Sequence, residues 1–424
     1  MSGGVDSSVA AALLKRAGFN VEAVFMRLWS GRPLEAEKRA RLVAKKLNIP
    51  FYTLNLEKEF KKKIIDYFLK EYRGGRTPNP CVVCNKEIKF GLLLEKSLAL
   101  GADCVATGHY ARVYAGLSSS WSDMLFLGNR ESSAPATDAR CVLGKKSPTQ
   151  RFECVNQSFF ASESFPKNSA SDRYHTRLFR LLQARDKEKD QSYFLWQLNQ
   201  KQLKHILFPV GDYTKDETRK LAKKFGLPTS AVPESQEICF IQGNVNDFLA
   251  KKIKSKPGPI IDFTACRTKI GRHRGLAFYT IGQRKGIKLS GGPHWVLDKD
   301  LKKNALIVTK KEKDLLAREL IFRGANWISP KQSFRDATGQ VGKVTKLPLR
   351  VRVKIRYGHK PASAILTAGR VVFDRPQRAV TPGQSVVFYR GRELIGGAFI
   401  FCSKNSKPRY SQPNNPKLTK ISSS

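Results

Sequence analysis

The apolar residues change period several times along the chain, and each change marks an expected element. Val9-Ala10-Ala11-Ala12-Leu13-Leu14 is a helix-like apolar run, and this helix should close near Gly18. Val21 to Met26 reads as a buried strand, Leu34 to Leu47 as a helix, and Pro50 to Leu54 as a second strand. Lys58 to Tyr72 places Phe60, Ile64, Tyr67 and Phe68 at helical spacing. After a break at Arg73 to Pro80, another helix should run to about Leu100, and Ala102 to His109 reads as a strand. Alternation of this kind predicts an α/β fold, a Rossmann-like parallel sheet wrapped by helices, with ligands at the carboxyl ends of its strands.

Between Ala115 and about Thr176 the periodicity is lost and Ser, Asn, Pro and Thr become frequent, which reads as a surface insertion, partly disordered. Order resumes at Arg177 to Leu182, and a helical pattern covers Lys215 to Phe225. From about Asn244 the texture turns to short β-like runs broken by Gly and Pro. Leu349 to Tyr357 alternates apolar with basic residues, as in a barrel with one apolar and one cationic face. The expected division is a catalytic domain over 1–243, a small central domain over 244–318, a C-terminal β-barrel over 319–403, and a disordered tail over 404–424.

Charge narrows the partner. Lys and Arg number 77 against 35 acidic residues, a formal net charge of +42 spread along the chain, so a polyanion, nucleic acid first, is expected. Eight cysteines are too few and too scattered for a disulfide scaffold and point to a reducing compartment. No apolar run reaches membrane-spanning length and no signal peptide precedes Met1, so a cytoplasmic protein without a membrane partner is expected.

Ser2-Gly3-Gly4-Val5-Asp6-Ser7-Ser8 stands directly before the apolar helix. Two glycines let backbone N–H groups turn inward, and the positive end of the helix completes an anion cradle suited to phosphate. Such loops normally follow a buried strand. Nothing precedes Met1 here, so either the true N-terminus has been lost or another segment fills the sheet.

Six ordered motifs, SGGVDSS, TPNPCVVCNKEIKF, TGHYARV, DKEKDQSYFL, SQEICFI and YTIGQRKGI, resemble the tRNA-specific 2-thiouridylase family over most of the chain apart from the insertion and the tail. The resemblance implies an ATP-pyrophosphatase that adenylates the C2 oxygen of the wobble uridine of tRNA and replaces it with sulfur from a cysteine persulfide. ATP would be held by Met1, Ser2, Gly3, Gly4, Val5, Asp6 and Ser7, with Asp6 orienting Mg²⁺, and Met26 and Gly108 would line the pocket. Cys239 matches the persulfide carrier, and Cys84 matches its nucleophilic partner, with which it can join in a disulfide. Asn79, Pro80 and Cys81 match the segment that meets the target base. Lys189, Asp190 and Gln191, with His109, Arg356, Tyr357 and Gln384, match positions that contact tRNA around its anticodon loop. A sulfur-donor protein, a cysteine desulfurase or a relay, is the implied second partner.

Cys81 departs from the family pattern, in which many members carry Asp. Three thiols, Cys81, Cys84 and Cys239, would then be available around one point and could hold an iron–sulfur cluster. A CxxC redox pair and a passive Cys81 are the alternatives. No second CxxC exists to complete a four-cysteine zinc site. Cys104, Cys141, Cys154, Cys266 and Cys402 read as small buried hydrophobes. Two other functions compete: a catalytically silent RNA-binding protein, and an ATP-pyrophosphatase that adenylates a small molecule. The second has no use for paired reactive cysteines or for so large a positive charge.

Overall fold

Helix α1 (Val5–Arg16) buries Val9 to Leu14 on all faces, as its unbroken apolar run requires. The computed structural model describes residues 1–30, 34–116, 178–233, 238–265, 267–328 and 348–404. Strand β1 (Ala23–Arg27) runs through helix α2 (Leu34–Leu47) to β2 (Phe51–Asn55), and the strands pair in parallel, Ala23 opposite Phe51 and Arg27 opposite Asn55. A second parallel pair joins β3 (Val105–Ala106) to β6 (Ile206–Leu207). Among the described residues no ladder links the two pairs. The Met1 amine donates to the Val24 carbonyl, so the first residue lies against β1, and its side chain packs on the α1 and α2 clusters. Strand β3 is much shorter than the expected run from Ala102 to His109, because after Thr107, whose N–H still donates to the Leu207 carbonyl, the chain turns away into a loop.

Two long helices carry short π-helical stretches. Helix α3 comprises Glu57–Phe60, π-helical Lys61–Ile65 and Asp66–Arg73, and α4 comprises Pro80–Cys84, π-helical Asn85–Leu92 and Leu93–Ala99. Pro80 stands at the first turn of α4, where a missing N–H costs nothing. Such π-turns occur frequently at functional sites, and the one in α4 begins directly after Cys84.

Strands β4 (Ala111–Gly116) and β5 (Leu178–Gln183) form an antiparallel hairpin, in register from Ala111 opposite Gln183 to Gly116 opposite Leu178. The sequence reading placed Ala115 in the insertion, because the hairpin's two strands are separated by the aperiodic stretch. Residues 117–177, with Cys141 and Cys154, lie outside the described residues, as do Cys266 and the tail from 405.

Helix α5 (Lys215–Lys224) starts with a reciprocal cap between Thr214 and Glu217. The β-like texture expected from Asn244 is opened instead by helix α6 (Val245–Lys252), capped by the Asn244 side chain. It is followed by β7 (Gly258–Asp262), β8 (Lys269–His273), β9 (Trp295–Asp300) and β10 (Ala305–Thr309), in sheet order β8-β7-β10-β9.

The C-terminal strands are β11 (Leu316–Trp327), β12 (Leu349–Lys354), β13 (Ala362–Thr367), β14 (Arg370–Arg378), β15 (Ser385–Arg390) and β16 (Glu393–Lys404). Their order, β11-β14-β13-β12-β15-β16, closes through a β11–β16 ladder into a six-stranded barrel. In β12, Val351 and Val353 enter the barrel core while Arg350 and Arg352 face solvent, as the alternation predicts, but the pattern fails at Lys354, which ends the strand buried. Strand β16 also pairs with β5, so the hairpin extends the barrel sheet into the catalytic domain. Trp196, fully buried, donates its indole N–H to Ser385 Oγ at 2.9 Å and shares a core with Val387, Tyr389 and Leu394.

Candidate active site

Gly3 has φ +76°, and a Cβ there would lie 2.1 Å from the Ala36 carbonyl oxygen of α2, so glycine is required by both conformation and space. Gly4, at the N-cap of α1, brings no capping side chain, and the first amides of the helix face the loop. Ser7 Oγ accepts from Ser2 N at 3.1 Å and donates to the Gly4 carbonyl at 3.2 Å, and Ser8 Oγ donates to the same carbonyl at 2.8 Å. These hydroxyls shape the turn from within. Met26, near the end of β1, packs partly buried between two core clusters.

The loop after β3 carries Thr107-Gly108-His109-Tyr110 and meets both halves of the expected chemistry. A Cβ on Gly108 would stand 2.6 Å from the Asp6 carbonyl carbon and the Ser7 nitrogen, so this backbone lies directly on the phosphate loop. Tyr110 OH donates to Asp6 Oδ1 at 3.0 Å. His109 turns the other way. Its Nε2 is 3.3 Å from Lys89 Nζ and its Nδ1 is 2.8 Å from Thr107 Oγ1. An ammonium only donates, so Nε2 accepts and Nδ1 carries the proton. Phe90 and Phe208 enclose the ring, and burial, reinforced by the Lys89 charge, holds its pKa well below the usual histidine range.

Lys89 connects this loop to the thiols. Cys81 exposes much of its surface on the first turn of α4, yet the protein around its sulfur pushes the thiol up to about 11. Burial is the main cause; the Lys89 charge opposes it and the neighbouring Cys239 adds to it. Cys84 is buried in the core cluster that also receives Phe240 and Ile241. Cys239 itself is exposed, anchored by Phe240 edge-on to Phe60 and Phe68 at 5.7 and 5.3 Å. Cys239 stands in a turn closed by Ile241 N donating to the Ile238 carbonyl at 2.9 Å, and the buried Phe240 and Ile241 seat that turn while the thiol stays outward.

The remaining expected residues are placed as follows. Asn79 and Pro80 are buried at the start of α4. Asp190, 2% exposed, accepts from Ala184 N, Gln183 Nε2, Ser192 N and Ser192 Oγ, so its carboxylate is satisfied internally. Gln191 brackets Tyr110, accepting from its N at 3.0 Å and donating backbone N–H to its carbonyl at 2.8 Å. Lys189 N donates to Asp186 Oδ1 at 3.2 Å. Arg356 donates to the Ala379 carbonyl and Thr381 Oγ1, both at 2.7 Å. Gln384 donates to the Thr77 carbonyl at 2.9 Å, and so braces the segment leading to Asn79. Tyr357, half-exposed, packs on Phe194 at 4.6 Å.

Sequence reasoning passed over Lys215, whose Nζ lies 2.7 and 2.9 Å from the two Asp6 oxygens. A lysine on an otherwise ordinary helix start carries no motif, so no local signal marks it. Among the described residues, no group of three His, Cys, Asp or Glu side chains is gathered closely enough to hold a metal ion. Asp6 offers a single carboxylate, which Mg²⁺ arriving with a nucleotide would share with the Lys215 ammonium and the Tyr110 hydroxyl.

Three family models match the chain in succession: a tRNA methyl transferase HUP domain over residues 1–132 and 145–243, a tRNA methyl transferase PRC-barrel domain over 246–310, and an aminomethyltransferase beta-barrel domain over 317–400. Curated relatives include the tRNA-specific 2-thiouridylase MnmA of Moorella thermoacetica, 42% identical over 420 residues, covering 94% of this chain and 98% of the relative. Those of Roseiflexus castenholzii and Clostridioides difficile are 37% and 38% identical, covering 94% of this chain and 97% and 96% of their own lengths. With matches running through all three structural units and through each of the motifs at the site, the chain belongs to the tRNA-specific 2-thiouridylase family.

Proposed function

We propose that this protein is a tRNA-uridine 2-sulfurtransferase that uses ATP to activate the wobble uridine and a cysteine persulfide to thiolate it. The observation that carries the reading is the loop Thr107–Tyr110, which rests on the phosphate loop through Gly108 and Tyr110 and reaches the thiol region through His109 and Lys89. The matching family models are described as methyl transferases, whereas the relatives are named for thiolation; the proximity of the Cys81 and Cys239 thiols favours thiolation.

A uridine carbonyl is a poor electrophile. Its C2 oxygen bonds to the α-phosphorus as the bond to pyrophosphate breaks, which turns the oxygen into a leaving group. Gly3, Gly4 and the first amides of α1 hold the phosphates, Asp6 faces them, and Met26 and Gly108 border the nucleotide. Mg²⁺, when bound with ATP, supplies charge neutralisation at Asp6. The terminal sulfur of a Cys239 persulfide then bonds to C2 and AMP departs. Cys84 attacks the Cys239 sulfur, the S–S bond to the product breaks and the thiolated base leaves with the outer sulfur, so that a Cys84–Cys239 disulfide remains for an external reductant. Asn79, Pro80 and Cys81 meet the base, Lys189 and Tyr357 face the tRNA, and Asp190, Gln191, Arg356 and Gln384 support those contacts by fixing the loops that carry them. A persulfide-donating protein reloads Cys239. The division into units at 243/244 and 318/319 follows the same reading, and its site is cytoplasmic.

The test is pyrophosphate release and thiolated product on mixing the protein with ATP, unmodified tRNA and a persulfide donor. Cys239→Ser should abolish thiolation and leave tRNA binding within a few-fold. Absence of pyrophosphate release with active donor present would sink the enzyme reading, and equal loss of thiolation and tRNA binding in Cys239→Ser would make that cysteine structural.

A further inference from the structure

The phosphate loop from Met1 to Ser8 contains neither lysine nor arginine. Backbone amides and a helix terminus supply partial charges only, while triphosphate-binding loops of the P-loop kind add a lysine that reaches the outer phosphates. A departing pyrophosphate concentrates several negative charges at this spot, and a full cation from elsewhere in the chain would add to the neutralisation that Mg²⁺ brings with the nucleotide.

We infer that Lys215 is that cation, a further positioning residue of the ATP site that holds the leaving pyrophosphate and sets the orientation of Asp6. Three observations converge on it. Its ammonium bridges both oxygens of Asp6, in the first turn of α1, at 2.7 and 2.9 Å, across 209 residues of sequence. Its side chain is only 9% exposed, which is unusual for a lysine and demands a fixed partner. It also sits over the Tyr110 ring at 5.6 Å, while Tyr110 OH donates to the same carboxylate.

Lys215 and Tyr110, the two donors to the Asp6 carboxylate, are held from one segment. Asp186 Oδ2 accepts from the Lys215 backbone N at 3.0 Å, and Gln191 Oε1 accepts from Tyr110 N. Arg39 also reaches the loop, but through Nε on the neutral Gly3 carbonyl, 3.2 Å away. An ammonium has three N–H donors and serves a phosphate oxygen and a carboxylate together. As the C2 oxygen bonds to the α-phosphorus and the bond to pyrophosphate breaks, the growing charge on pyrophosphate is met by Lys215, and no proton is transferred.

This inference rests on the ATP-dependent reading, and its test needs neither tRNA nor sulfur. Inorganic pyrophosphate is titrated calorimetrically into the full-length wild type, Lys215→Met and Lys215→Arg, with ATP KM, tRNA affinity and thermal midpoint measured alongside. Lys215→Met should weaken pyrophosphate binding by roughly tenfold or more, as expected for loss of a charge-assisted contact, and should raise the ATP KM with tRNA affinity unchanged. Lys215→Arg should recover most of the loss. Because Lys215→Met strands a half-buried carboxylate, the double variant Asp6→Asn with Lys215→Met separates charge balance from ligand contact. It should regain thermal stability and still bind pyrophosphate weakly. Wild-type pyrophosphate affinity in either Lys215→Met or the double variant would overturn the assignment. Failure of the wild type to thiolate tRNA would instead strike the proposed function and leave the pyrophosphate result standing.

Discussion

Around His109 a neutral ring is stabilised by what surrounds it: two aromatic walls, a hydroxyl that accepts its Nδ1 proton and an ammonium that donates to Nε2. Protonating that ring would set two cations against each other in a poorly solvated place, which is why its pKa is depressed. The sign for stability follows. The unfolded chain takes up a proton near the ordinary histidine pKa, about 6.5, and the folded chain does not until the pH is lower. Stability from this group is therefore fully present above that value and falls as the pH drops below it, by up to about 1.4 kcal/mol per pH unit. Denaturant midpoints at pH 7.5 and 5.5, chosen as ~1 unit either side of that value, should differ more for the wild type than for His109→Asn. Equal differences would mean that His109 titrates in the folded state as it does unfolded. His273 and His359 are depressed as well, chiefly by burial, so the comparison with His109→Asn isolates the one ring.

Between elements, the segment that leads into α4 is gripped from the barrel. Gln384 donates to the Thr77 and Pro78 carbonyls, Thr77 N donates to the Pro382 carbonyl, and Gly383, at φ +90°, approaches so closely that a Cβ would stand 2.9 Å from the Thr77 oxygen. Gly383→Ala should cost about 1–3 kcal/mol through overpacking and should slow thiolation while ATP affinity is kept. Chemical denaturation and a comparison of ATP KM with thiolation rate test this; loss of ATP affinity in step with thiolation would show that the grip acts on the whole catalytic domain. Much at this scale was legible beforehand. Helices α1 and α2 were readable because their apolar periods are local, and so was the turn at Gly3 and Gly4 that precedes α1. The hairpin β4–β5 was hidden, since its strands find each other only through a ladder that spans the insertion. The same limit hid Lys215, and it also left Asp190, Arg356 and Gln384 without the internal partners that the folded chain gives them.

At the scale of the whole molecule, three units meet around one short stretch. Lys299 from β9 donates to the Gly75 carbonyl at 3.0 Å, Thr77 Oγ1 donates to Thr280 Oγ1, and the barrel closes over Thr77 and Pro78. Burial pushes the Lys299 ammonium down to about 8, a sign of how dry this junction is. The continuous ladder β15-β16-β5-β4 makes the same connection on the far side. That ladder has a practical corollary for protein engineering. Gly116 and Leu178 face each other at the last rung of the hairpin, so whatever joins them begins and ends at neighbouring points, and its length bears only weakly on the cost of closing it. The position is a natural graft site. Replacing 117–177 with a two-residue Asn-Gly turn, which suits a hairpin of this twist, should leave the melting temperature and ATP affinity of the protein close to wild type. A collapse of either would give the excised stretch a part in holding the catalytic domain together.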